Sequence, residues 1–196
     1  MNEVNYDKKM MQILEEGAGK TLLLHSCCAP CSSYCLSEVT KYFKTTVFYY
    51  NPNLDTKEEY EKRKAEQIRF LKETGLADFL DCDYSSEDFE NAAKGYESER
   101  EGGARCARCF RLRLERTAQA AKQGGFDYFG TTLTVSPLKN ARLINEIGME
   151  LEEKWGVKYL PSDFKKRGGY LKSIELSKEH NLYRQDYCGC QYSKKK

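Results

Sequence analysis

A chain of 196 residues with a formal net charge of +2 is long enough for one well-cored α/β domain and too short for two large ones. Any nucleic-acid footprint on it must be local. Its nine cysteines are an odd number, its first 20 residues carry no apolar core of signal-peptide length, and no apolar run approaches a membrane span. A secreted disulfide scaffold and a membrane protein are thereby disfavoured. A cytoplasmic location is expected, where clustered cysteines mean metal, cluster or redox chemistry.

Residues 1–19 read as a polar, loose arm with one helical piece, Lys9 to Glu16. The apolar run from Thr21 to His25 reads as a buried first strand, followed by Cys27-Cys28-Ala29-Pro30-Cys31 in a loop whose exit Pro30 stiffens. A helix is expected over Ser32 to Phe43. A second strand over Thr45 to Tyr50 ends at the Asn51-Pro52-Asn53 turn. Thr56 to Thr74 reads as a long helix with the inner stripe Tyr60, Ala65, Ile68 and Leu71, closed by Gly75. Phe79 to Asp83 is a third strand, and a short helix runs from Ser85 to about Ala93. Cys106 to Gln123 reads as a helix with Phe110, Leu114, Ala118 and Ala121 on one face. Asp127 to Gly130 is a fourth strand. After the polar loop Thr131 to Ser136, Pro137 reads as the first residue of a helix reaching Trp155. Val157 to Leu160 is a fifth strand. A last helix, Tyr170 to Glu179, precedes the terminal Cys188-Gly189-Cys190. Alternating strands and helices predict a single-domain α/β fold: a mostly parallel, doubly wound sheet with helices on both faces and a C-terminal helical tail.

In such a sheet the loops after the strands gather at one end. Those loops hold Cys27 and Cys28, Asn51 and Asn53, Asp83 and Tyr84, and Thr131, Thr132 and Thr134. Two adjacent cysteines within a strand point to opposite faces, whereas in a loop both sulfurs can turn to one point. Cys106-Ala107-Arg108-Cys109 has the two-residue spacing of metal and cluster ligands, at a helix start that favours thiolate. Joined to Cys27 and Cys28 it gives four thiolates, the complement of a [4Fe–4S] cluster or a tetrahedral zinc. An adjacent pair is awkward around one ion and natural for a cluster, so the spacing favours the cluster.

Cys188-Gly189-Cys190 reads as a two-electron redox pair, because a disulfide across one glycine closes a small, strained and labile ring; two further metal ligands or two idle thiols are the alternative. Cys31, one turn from the pair, is placed to ligate an additional metal, while Cys35 and Cys82 read as small core residues. His25 reads as a donor behind the cysteines, a proton source, or a strand-end histidine satisfied by backbone. Arg184, between Tyr183 and Gln185, offers phosphate or base contacts. Arg105, Arg108, Arg111, Arg113 and Arg116 read either as a solvated face or as a patch tracking RNA, with Tyr49, Tyr50, Phe164 or Tyr170 to stack bases.

The motifs HSCCAPC (25–31), YYNPN (49–53), EGGARCARCFRLRLERTA (101–118), FGTTLTVSPLKN (129–140) and DFKKRGGYLKSIELSKEHNLYRQDYCGC (163–190) together resemble the QueH-type epoxyqueuosine reductases, cobalamin-independent enzymes of tRNA queuosine synthesis. The resemblance spans about residues 20–193, leaving 1–19 as an arm and 194–196 as a basic tail. It implies a fold like that of nucleotide alpha-hydrolases, and reduction of epoxyqueuosine to queuosine at the wobble position of tRNA. It also implies a [4Fe–4S] cluster on Cys27, Cys28, Cys106 and Cys109, and a redox-active Cys188–Cys190 pair. A second mononuclear metal, iron, is implied just after the CCAP run, where Cys31 stands. Asn51, Asn53, Thr131, Thr132 and Arg184 are the expected substrate contacts. The partners implied are tRNA with a queuosine-type anticodon and an electron donor that the sequence does not name. Epoxide reduction further needs an acid for the leaving oxygen, for which His25 and Tyr84 are candidates. The alternative is a zinc-stabilised tRNA-binding module without redox chemistry.

Overall fold

A computed structural model describes residues 4–194. Five strands, β1 (Thr21–His25), β2 (Lys44–Phe48), β3 (Asp78–Leu80), β4 (Tyr128–Thr131) and β5 (Lys158–Tyr159), form one sheet in the order β3-β2-β1-β4-β5. All four pairings are parallel. The order reverses at β1, so the loop after β1 lies at the crevice where such sheets bind ligands.

The helices are α1 (Tyr6–Glu16), α2 (Ala29–Val39), α3 (Lys57–Thr74), α4 (Ser86–Ala93), α5 (Ala104–Gln123), α6 (Ala141–Trp155) and α7 (Gly169–Glu179). Alternation along β1 divides them. Leu22 and Leu24 face a core shared with α1, α2 and α3, whereas Leu23 faces a core shared with α5 and α6. The doubly wound α/β architecture is therefore as expected. None of the helices among the described residues is long and apolar enough to cross a membrane.

Several boundaries differ from expectation for local reasons. α2 begins at Ala29, directly after Cys28, with Pro30 in its first turn. Proline is tolerated there because the first N–H groups of a helix have no partner within it. α6 begins at Ala141, not at Pro137, because Asn140 caps it by accepting the Leu143 N–H at 3.1 Å. The loop after β4 is a buried 3₁₀ turn, Thr132–Val135. The inner face of α3 is Tyr60, Arg63, Gln67, Phe70 and Leu71, with Ala65 exposed. α1 is docked and not loose, since Met10 and Leu14 are fully buried. In the basic tail, Lys194 pairs with Asp55, and residues 195 and 196 lie outside the described ones.

Candidate metal and redox centre

The turn after β1 is held from three sides. The Ser26 N–H donates to the Phe48 carbonyl, Asn51 Nδ2 donates to the Ser26 carbonyl, and Ser26 Oγ donates to Gln67 Oε1 at 2.7 Å. Gln67 Oε1 also accepts from Ser32 Oγ at 2.9 Å, which ties α2 to α3. So fixed, the turn sets Cys27 Sγ 3.9 Å from Cys28 Sγ, and brings the sulfurs of Cys27, Cys28 and Cys31 within 4.8 Å of one another. The Cys28 and Cys31 thiols donate to Cys27 and hold it well below the usual thiol range. The same bonds push Cys28 well up and Cys31 to about 12.

These three cysteines line a cavity of about 350 Å³ whose wall also includes Arg63, Arg113, Lys139, Tyr170, Arg184 and Cys188. Its carboxylates, Glu101 and Asp186, belong to exposed residues, whereas Arg113 is buried. Burial pulls the Lys139 pKa down, but Cys188, Cys27 and Cys31 together raise it further than burial lowers it.

Cys106 and Cys109 stand on the first turns of α5. Cys106 Sγ accepts the Gly102 N–H at 3.2 Å, and Cys109 is buried beside Cys190, Phe89 and Ala93. They lie outside the 4.8 Å trio. Arg113 connects the two groups: burial works against its charge, and Cys109, Cys27 and Cys188, in that order, favour it. Cys188 and Cys190 carry free thiols. Gly189 between them has φ +107°, and a Cβ there would lie 2.4 Å from Leu54 and 2.9 Å from Arg63. Its carbonyl accepts the Asp55 N–H at 3.0 Å. The C-terminal segment is thus pinned to the loop after β2, which carries Cys188 into the cavity.

The remaining predicted residues are scaffold more than wall. His25 is fully buried. His25 Nε2 stands 3.2 Å from Arg113 Nε and 3.1 Å from the Tyr50 carbonyl, and Nδ1 stands 3.0 Å from Thr131 Oγ1, so both ring nitrogens are engaged by the scaffold. Burial and the neighbouring guanidinium lower the His25 pKa to about 3. His25 is a neutral strut whose two ring nitrogens are both committed to buried protein partners. Tyr84 is likewise committed, donating to the Leu54 carbonyl at 2.5 Å. Asn51, Asn53, Thr131 and Thr132 are buried and do not line the cavity; Arg184 does. Thr132 Oγ1 stands 3.8 Å behind Cys27 Sγ. Cys35 lies in the α2 core as expected.

The sequence placed Arg113 with a solvated face or RNA-tracking patch, which its burial corrects, and gave Lys139 no role. A signal for the first is present. Arg105, Cys109, Arg113 and Thr117 recur at four-residue spacing on α5, and all four are buried. The arginines of that helix are therefore not one surface patch. Arg105 donates to the carbonyls of Tyr96, Glu97 and Glu99, Arg111 pairs with Glu150, and Arg108 donates to the Tyr96 hydroxyl.

The donor set fits a thiolate-bound, anionic group. Sulfurs converge beside two cations. On the Cys28 side, Arg63 Nη2, the Tyr49 hydroxyl and Gln67 Nε2 are buried donors with no protein partner.

A parallel sheet whose carboxyl edge presents thiols to a cavity with buried basic groups defines an α/β protein built for metal-thiolate or redox chemistry. A family model described as epoxyqueuosine reductase QueH matches residues 22–196. The chain is 44% identical over 202 residues to the epoxyqueuosine reductase QueH of Staphylococcus epidermidis, covering 97% of this chain and 85% of that one. It is 41% identical over 176 residues to that of Thermotoga maritima, covering 88% and 90%. This chain belongs to the epoxyqueuosine reductase QueH family and is an oxidoreductase. Among solved structures, the U34-tRNA thiolase NcsA from Methanococcus maripaludis with its [4Fe-4S] cluster aligns with a TM-score of 0.59 at 12% identity. The alignment covers 97% of this chain and 67% of that one, and shows a shared fold.

Proposed function

We propose that this protein reduces epoxyqueuosine to queuosine at the wobble position of tRNA, with a [4Fe–4S] cluster held by Cys27, Cys28, Cys106 and Cys109 and with Cys188 and Cys190 as a redox pair. The observation that carries this reading is the entry of Cys188 into the same cavity as Cys27, Cys28 and Cys31. Family membership supports the substrate.

Removing an epoxide oxygen to leave an alkene consumes two electrons and two protons and releases water. The Cys188 and Cys190 thiols hold two electrons and two protons, so closing them to a disulfide balances one turnover; an external thiol or electron-carrier reductant must reopen it. A cluster bound by four thiolates supplies single electrons when present. Lys139, as an ammonium on the cavity wall, is the chain's donor toward the departing oxygen, a task for which His25, fully buried and not part of that wall, is not placed. Arg184 and Tyr170 at the same wall suit a nucleotide's phosphate and ring.

One observation favours a second reading. Three sulfurs within 4.8 Å approach the spacing of about 3.8 Å that a tetrahedral ion with bonds of about 2.3 Å requires. A mononuclear metal on Cys27, Cys28 and Cys31, either beside the cluster or in its place, follows from it. Iron, sulfide and zinc analysis of anaerobically purified protein, with nucleoside analysis of treated tRNA, tests both. Iron, sulfide and queuosine formation are expected; zinc alone with unreacted epoxyqueuosine leaves a tRNA-binding module.

A further inference from the structure

Arg113 is 1% exposed. A guanidinium keeps its charge at any accessible pH, so burying it requires an anion nearby or a large loss of stability. Its protein partners are neutral: it donates from Nε to His25 Nε2 at 3.2 Å and from Nη2 to Asn51 Oδ1 at 2.6 Å. His25 is in turn fixed by Thr131, and Asn51 by the Ser26 carbonyl. The carboxyl ends of three neighbouring strands, β1, β2 and β4, with the loops that follow β1 and β2, therefore aim this side chain. The ionisable groups around it that carry negative charge when deprotonated are Cys109, Cys27 and Cys188. Cys109 lies one helical turn before it on the same face of α5.

We propose that Arg113 is the built-in counter-cation of the cysteine centre, a positioning residue that makes the group bound by Cys27 and Cys109 easier to reduce. The inference rests on the cluster reading above. A fixed positive charge stabilises the state carrying one more electron, and in a dry site it does so strongly because little water screens it. The aim of the guanidinium, and not its bulk, is what His25 and Asn51 secure.

The test is the midpoint potential of the anaerobically reconstituted protein, read by its visible spectrum under redox titration. Variants are Arg113→Gln, Arg113→Lys and Asn51→Asp, the last placing a carboxylate against the guanidinium while leaving Arg113 in the chain. Arg113→Gln and Asn51→Asp are each expected to make the centre at least tenfold harder to reduce, which for one electron is a shift of about 59 mV to more negative potential. Arg113→Lys is expected to recover most of the wild-type value. Should Arg113→Gln fail to retain iron, retention by Arg113→Lys together with the Asn51→Asp shift supports the proposal. A wild-type potential in Asn51→Asp or in Arg113→Gln, at equal iron content, overturns it. Wild-type protein without iron and sulfide defeats the cluster reading instead, and is seen before any variant is compared.

Discussion

At the scale of single residues, the site depends on sulfurs supplied from three separate parts of the chain, and two of these make separate predictions. Cys109 is buried against Cys190, so Cys109→Ala leaves a small cavity and removes one expected ligand. It is predicted to lower bound iron and bleach absorption near 400 nm, an approximate range for such clusters, with secondary structure by circular dichroism unchanged. Gly189→Ala acts differently. At φ +107°, with Leu54 2.4 Å from the added Cβ, the substitution is expected to cost more than about 1 kcal/mol and to draw Cys188 out of the cavity. Iron content should survive while turnover falls; normal turnover would show that the pinned geometry is unnecessary. The grouping of Cys27, Cys28 and Cys31 was legible in the sequence because the three are local to one turn. Arg113 and Lys139 were not, because a basic residue on a charged helix or in a loop looks like any solvated one until the facing elements are placed. His25 was legible as a position beside the site and not in its role, since nothing local to β1 announces a guanidinium arriving from α5.

At the scale of elements, α3 latches the C-terminal segment. Glu66 accepts the Tyr183 N–H at 2.6 Å, and Arg69 donates to the His180 carbonyl at 2.8 Å while pairing with Glu66. Glu66→Ala is expected to loosen residues 181–190 by about 1–2 kcal/mol, read as faster amide exchange at Tyr183 with α5 unaffected. Arg69 first, and the Tyr183 N–H as well, hold the Glu66 carboxyl below its usual range. Its contribution is therefore complete above the unfolded value of about 4.3 and fades as pH falls through the lower folded value. Exchange at Tyr183 should accelerate in acid before the sheet core opens; simultaneous opening of both would contradict the latch. Strand and helix identities were readable from period and turn residues, as Gly75 with φ +63° closing α3 illustrates. Boundaries failed where side chains decide them: Asn140 outranked Pro137 as a helix start, and the polar Arg63 and Gln67 took inner positions that an apolar count assigns to Ala65 and Ile68.

At the scale of the whole molecule, one sheet separates two apolar cores, and the site sits on their shared carboxyl edge. Met10 brings α1 into the core on the Leu22 and Leu24 side. Met10→Ala is expected to cost about 2–5 kcal/mol by urea unfolding, whereas a loose arm would show no change. On the opposite side, Gly148 admits the Tyr159 ring, which a Cβ would meet at 2.3 Å; that packing joins α6 to β5. The parallel order β3-β2-β1-β4-β5 is what gathers cysteines distant in sequence; the alternation of elements made the parallel, doubly wound sheet predictable, but not the order of its strands.

The central claim is that these thiols form one redox centre acting on a modified tRNA base. Its most direct test is single-turnover reaction of the anaerobically reconstituted protein, fully reduced and freed of reductant, with tRNA carrying epoxyqueuosine, followed by nucleoside analysis and thiol counting. The account predicts queuosine formed in step with the loss of two thiols, and no such step in Cys188→Ser. Undiminished queuosine formation by Cys188→Ser, or none by the iron-loaded parent protein, contradicts it.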